Sequence, residues 1–463
     1  VLRYFRINDP YRLLSLLVLM ILASLPMLID FPDITIQEVK DLVIGERIGS
    51  KLLYVDLVDR TPPLMAVMDG FLNFLFGRSL MARHIFALVI LFFQAAYFGI
   101  LLINNRAYNE NTYVPSLVFG SLCLFSFDVL SLTPEVLAST LLLLALNNIF
   151  KEIEFRVERD SIVLNLGIFL GLASLIVLSY TIFLFGAMII LIVFARTSLR
   201  KILLMFLGYG LIHGIVMTLY YFYGHSADLW RGFYLANIGQ SVEMLVSFRT
   251  MLMLAAIPGF YFIISLFMLT RDAHFTRYQS QIFQVLFIWM SIASGELFLE
   301  PGIAPHTLMT FMPPLAYFVS HYLLLIRRRR IAEYMLLIFV VGLPGINYMT
   351  RKEMIEGVNY RSLVAKPSAY EAMIRDQRVM VVGDDMGLYR SNTLGGSFLD
   401  WELSKTYFEN PDYYENIIKV NDAFEEDPPQ VIVDELNLMA PLFDRLPRIK
   451  RMYRKDGALY WRN

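Results

Sequence analysis

Apolar runs of about twenty residues recur along this chain between short polar breaks, and that is the length at which a helix crosses the hydrocarbon core of a bilayer. They fall at approximately 12–29, 83–103, 113–131, 134–150, 162–178, 181–196, 202–223, 251–270, 282–299, 307–326 and 331–349, about eleven in all. The connections between them alternate in charge. Arg3, Arg6 and Arg12 precede the first run. Every second connection thereafter carries Lys or Arg: Arg106, then Lys151, Arg156 and Arg159, then Arg196, Arg200 and Lys201, then Arg271 and Arg277, then Arg327 to Arg330. The connections near Ser131, Ser179 and Gly302 have none, so the positive-inside rule places the N-terminus in the cytoplasm and the far end outside. Segment 162–196 has basic ends and must cross twice, turning near Ser179 and Tyr180.

Two stretches break the pattern. The first is the connection 30–82, long for a loop between spans, which predicts function there. Within it Pro62 and Pro63 end one segment and start another, and Leu64, Met68, Phe71 and Leu75 give a short helix one apolar face for the membrane boundary or for neighbouring spans. The second is the tail from about Thr350, where hydropathy drops. Val379 to Val382 and Val431 to Val433 read as buried strands, with a helix over Tyr413 to Phe424 started by Asp412. The expected architecture is an α-helical polytopic membrane domain over 1–349 and a small extracytoplasmic α/β domain over 350–463. Gly383, Asp384 and Asp385 follow the first strand without a glycine-rich dinucleotide fingerprint.

Composition agrees and narrows the function. Hydrophobic residues make up 57% of the 463, aromatics 14% and charged residues 17%, too apolar for a soluble protein. A formal net charge of -1 gives no basis for nucleic-acid binding. The single Cys123 excludes an internal disulfide and a cysteine metal cluster. The first run, Leu13 to Ile29, lacks a small-x-small cleavage pattern and reads as a span rather than a signal peptide.

Candidate chemistry gathers in the connections expected outside. Asp33 follows Pro32 and Glu38 lies in Ile36-Gln37-Glu38-Val39-Lys40; each suits a base, and each also suits a helix start or a solvated face. Glu135 follows Thr133-Pro134, with Asp128 before it, where capping alone would also select an acid. His306 stands in Pro305-His306-Thr307, ahead of Pro313-Pro314. Arg231 and Arg249, near Trp230 and Tyr234, are cations able to meet a phosphate. His84 and His213 lie inside spans without a second ligand at helical spacing, which favours buried structural histidines, and His321, nearer the inner end of its span, reads as structural too.

The string Arg60-Thr61-Pro62-Pro63-Leu64, then Leu75-Phe76-Gly77, then Ala82-Arg83 resembles the end of the first outer loop in the GT-C superfamily of membrane glycosyltransferases, in the protein mannosyltransferase and aminoarabinose-transferase branch. The family's lysine before the prolines is Thr61 here, with Arg60 one place earlier. The resemblance implies a sugar transferase of the inner membrane that uses a polyprenyl-phosphate-linked donor within the lipid, and leaves room for a divalent cation and for envelope protein partners. It implies a catalytic acid at Glu38 or Asp33 and a donor or acceptor site including Arg60, Glu135, Asp128, His306, Arg231 and Arg249. The family's side-by-side acidic pair is absent, so the alternative is a catalytically inactive GT-C-like scaffold of an envelope assembly.

Overall fold

A computed structural model describes every residue of the chain except 155–158, 196, 239, 273–274 and 353, so Arg156 and Arg196 of the charge pattern lie outside the described residues. The chain divides into two compact units. The first comprises Val1–Pro32, Ser79–Val216 and Ser241–Ser362, and the second Asp33–Arg78, Met217–Gln240 and Leu363–Asn463.

The first unit is helical, and the chain is a multi-pass membrane protein. Among the described residues, eight helices are long and apolar enough to cross a bilayer, from Tyr11–Ile29 to Arg329–Arg351. The segments expected at 113–131, 162–178 and 282–299 are helical but not among the eight, each for a visible reason. The first is cut into Val114–Leu122 and a 3-10 turn, Phe127–Ser131. The second, Asp160–Ser174, has 15 residues and so rises only about 22 Å against a core of about 30 Å. The third, Arg277–Glu296, opens on Arg277, Gln279, Ser280 and Gln281.

Helix pairs in this unit approach closely where side chains are small. A Cβ on Gly167 would lie 2.0 Å from the Met205 carbonyl oxygen, and one on Gly208 would lie 2.4 Å from that of Leu164. Helices Asp160–Ser174 and Leu199–Phe222 therefore cross backbone to backbone, the contact that small residues allow in lipid. The three histidines read as structural pack among local side chains: His84 stacks on Phe31 at 4.5 Å, His213 bonds Ser174 at 2.8 Å, and His321 sits edge-on to Tyr108, Phe275 and Tyr317, its Nδ1 buried without a hydrogen bond. Two short strands, β1 (Glu243–Met244) and β2 (Gly302–Ile303), pair in parallel between the long helices.

The second unit is α/β. Strands β3 (Arg378–Val382), β4 (Thr393–Leu394), β5 (Val431–Asp434), β6 (Tyr453–Asp456) and β7 (Leu459–Arg462) form one sheet in the order β4-β3-β5-β7-β6. The two valine-rich runs are the central parallel pair, with Val379 opposite Val431, buried as continuous apolar runs of a covered sheet should be. Its core joins Met380, Val382 and Ile432 to Phe408, Val420, Phe424, Met439 and Phe443 from the helices, and to Val58 from the first loop. Val58 joins by its backbone as well. Its N–H donates to Ser397 O at 2.7 Å and its carbonyl accepts from Leu399 and Asp400.

Helix Pro63–Phe76 begins where the proline pair predicts. It is apolar nearly all round: Met65, Ala66 and Leu72 are buried, whereas Val67, Phe71, Phe74 and Leu75 are exposed. The tail helix runs Tyr414–Glu426, but Asp412 does not cap it. That carboxylate instead pairs with Arg445 at 2.6 Å.

Candidate functional site

Three helix starts of the first unit deliver one polar cluster. The 3-10 turn Phe127–Ser131 carries Asp128, and Leu132 reverses the chain in a left-handed conformation, φ 55°. Pro134 then opens the next helix with Glu135 in its first turn, where the helix dipole favours an anion. Pro305 opens a second 3-10 turn, and the N–H of His306 would lack a partner there. Asp128 supplies that partner: its Oδ2 accepts from the His306 backbone N–H at 2.9 Å and faces the imidazole Nδ1 at 2.9 Å. With Nδ1 fixed, Nε2 faces Glu135 Oε2 at 3.7 Å. Both ring nitrogens thus meet carboxylates, an arrangement best satisfied when both carry protons. Ser126 donates to the other oxygen of Asp128.

Asp128 is 2% exposed and Glu135 5%, so these charges are held out of water at a cost only close partners offset. Two further acids complete the cluster. Glu296, 1% exposed, ends helix Arg277–Glu296, and Glu300 follows one turn on. Both reach the Ser179 hydroxyl, Glu296 Oε1 at 2.7 Å and Glu300 Oε2 at 2.7 Å. Burial first, and then the charge of Glu135, pushes the Glu300 carboxyl up to about 7. The neighbouring Tyr180 is fully buried, its hydroxyl without a hydrogen bond. Among the described residues no group of three or more His, Cys, Asp or Glu side chains is arranged to hold a metal ion, so the divalent cation allowed for by the resemblance is assigned no ligands.

The other candidates fall in different surroundings. Asp33 is exposed. Thr35, two places on, is the N-cap of helix Ile36–Arg47, and Glu38 closes a capping box with it. The Glu38 carboxylate takes the Thr35 N–H at 2.8 Å and hydroxyl at 3.0 Å, which commits it to the helix start. Arg60 is clasped by Asp400, through Nε at 2.6 Å and Nη2 at 2.8 Å. Lys40 lies 3.1 Å from buried Asp59 and 3.6 Å from Asp400. Burial would raise the Asp400 carboxyl and lower the Lys40 ammonium, yet the opposite charges win, holding Asp400 below and Lys40 above their ordinary values. Arg231 is exposed in the turn Trp230–Leu235 of the second unit. Arg249, in the first, is exposed against Gly357, where φ is +85° and a Cβ would lie 2.5 Å from its Nη1.

No known protein-family model matches the chain, and no curated protein does. Solved structures do. The chain is similar, at 12% identity and a TM-score of 0.50, to ArnT from Cupriavidus metallidurans bound to undecaprenyl phosphate, over 96% of each chain. The likeness extends along nearly the whole of both chains and is one of fold. A looser likeness, TM-score 0.36 at 12% identity, extends over 98% of this chain and 74% of the archaeal oligosaccharyltransferase AglB from Archaeoglobus fulgidus, solved with an inhibitory peptide and a dolichol-phosphate.

On this fold, Asp128, Glu135 and His306 converge as one constellation. Asp33, Glu38, Arg60 and Arg231 belong to the second unit, and Arg249 to the first. Sequence reasoning missed Glu296, Glu300 and Ser179 as site residues. The signal for the acids was present: two glutamates four apart at the end of an apolar segment are costly in a membrane setting unless they share partners.

Proposed function

We propose that this protein is a glycosyltransferase that moves a sugar from a polyprenyl-phosphate carrier to an acceptor hydroxyl or amine on the extracytoplasmic face of the inner membrane. The reading is carried by the Asp128–His306–Glu135 constellation, buried at helix starts within a fold matched from end to end by a transferase solved with undecaprenyl phosphate. In the reaction the acceptor oxygen or nitrogen bonds to the sugar's anomeric carbon, the bond from that carbon to the phosphate oxygen breaks, and its electron pair leaves with the phosphate. His306, oriented through Nδ1 by Asp128, presents Nε2–H to the phosphate oxygen that gains charge. Glu135 is the carboxylate that receives the acceptor's proton; its Oε2 has no hydrogen-bond partner of its own. Glu38 closes a capping box with Thr35, which favours Glu135 for that role, while Asp33 keeps an exposed carboxylate in the first loop.

Turnover of undecaprenyl-phosphate-linked sugar by the purified full chain tests this. Glu135→Gln and His306→Ala are each expected to lower turnover by at least about a hundredfold; activity retained in both overturns the assignment, and Asp33→Asn shows whether the first loop supplies the base instead. A second reading, an inactive GT-C-like scaffold of an envelope assembly, is favoured by the commitment of Arg60 to Asp400 and of Glu38 to its cap. Absence of donor binding by the wild type would support it.

A further inference from the structure

The hydroxyl of Ser179 lies 2.7 Å from Glu296 Oε1 and 2.7 Å from Glu300 Oε2, both ordinary lengths for an O–H···O bond. A serine hydroxyl has one proton to give. It satisfies one carboxylate, and the second short contact would set lone pair against lone pair unless the proton there comes from the carboxyl side. We propose that Glu296 and Glu300 hold one proton in common through the Ser179 hydroxyl, making them a proton-holding pair beside Glu135 and His306.

The surroundings agree. Glu135 faces the pair from helix Pro134–Ile153, His306 from the turn Pro305–Phe311 with Asp128 behind it, and Tyr180 from the residue next to Ser179. Asp128 and Glu135 meet the one imidazole, Glu296 and Glu300 meet the Ser179 hydroxyl, and no Lys or Arg is among these contacts. A retained proton removes one negative charge where desolvation makes it most costly. Such a pair titrates as a unit, and burial above all raises both carboxyls above the ordinary carboxylate range.

Infrared titration of the purified full chain tests the pair directly. The wild type is expected to show a protonated carboxyl band at pH 6 whose midpoint of loss lies above the ordinary carboxylate range. Glu300→Gln and Glu296→Gln should each abolish it, since the amide donates where the acid did. The Ser179 hydroxyl favours the ionised form, so Ser179→Ala should move the midpoint up by about one pH unit and Ser179→Thr should restore it. A folded wild type with no protonated carboxyl at pH 6, or a band surviving both glutamine variants, overturns the proposal. The readout needs no turnover, so its failure and that of the transferase reading are separate results.

Discussion

Asp400 holds the first loop to the tail domain, and removing its charge is a test with a calculable size. Its carboxylate takes two bonds from Arg60 at 2.6 and 2.8 Å, caps helix Trp401–Glu409 by accepting the Leu403 N–H at 3.2 Å, and stands 3.6 Å from Lys40. Charge-assisted bonds contribute about 1.5–3 kcal/mol each when shielded. Arg60 is 19% and Asp400 10% exposed in their side chains, so partial screening leaves a coupling of about 2 kcal/mol for the pair. Asp400→Asn keeps the cap, Arg60→Gln removes the other charge, and the double variant closes the cycle. The assay is limited proteolysis of the full chain in detergent, scored as the population of the opened second unit. A coupling of 2 kcal/mol is about a thirtyfold difference in that population. A coupling below about 0.5 kcal/mol would show the clasp to be a surface ion pair of no consequence. The pH dependence has a fixed sign. Asp400 is held below its ordinary value, so its contribution is present above the unfolded carboxylate range and is lost only as pH falls through the lower folded value; lowering pH from 7 to 5 should leave the coupling unchanged.

Further outcomes follow from single contacts. Glu38→Gln preserves a capping box, because glutamine serves at that position, so stability and turnover should both stay within about twofold of wild type; a hundredfold loss of turnover alone would return Glu38 to catalysis. Thr35→Ala removes the cap itself and should cost about 1 kcal/mol by denaturant unfolding. Gly167→Ala places a Cβ against the Met205 carbonyl and should destabilise the helix pair by about 1–3 kcal/mol, read as a lower thermal midpoint, whereas Gly210→Ala, with open space around it, should cost almost nothing. Asp128→Asn should lower turnover at least about tenfold, with His306 no longer held by a carboxylate at Nδ1.

Where periodicity carries the information, the sequence was legible. The runs at 12–29 and 331–349 emerge as Tyr11–Ile29 and Arg329–Arg351, and the proline pair marks a helix starting at Pro63. The two valine runs became the central strands because nothing but burial on both faces suits such runs. Other features depend on distant partners. Whether Asp33 or Thr35 caps the first-loop helix turns on a capping box with Glu38, a pattern present in Thr35-Ile36-Gln37-Glu38 and overlooked in favour of the acid after Pro32. Asp412 has the right residue type and place for a cap, yet Arg445 claims it. The cluster around His306 was half visible: helix-start chemistry singles out Glu135, but no local rule brings Ser179, Glu296 and Asp128 from three other segments to the same point.

Three stretches far apart along the chain, 33–78, 217–240 and 363–463, make up the second unit, and Val58 supplies part of its core. During synthesis the first of them must wait through some three hundred residues before the strands that complete its sheet exist. Until then Lys40, Asp59 and the apolar side of helix Ile36–Arg47 are without Asp400 and their packing partners, so ribosome-bound chains ending before residue 400 should expose this loop to protease or recruit a chaperone, and maturation of the loop should be timed by the release of the tail.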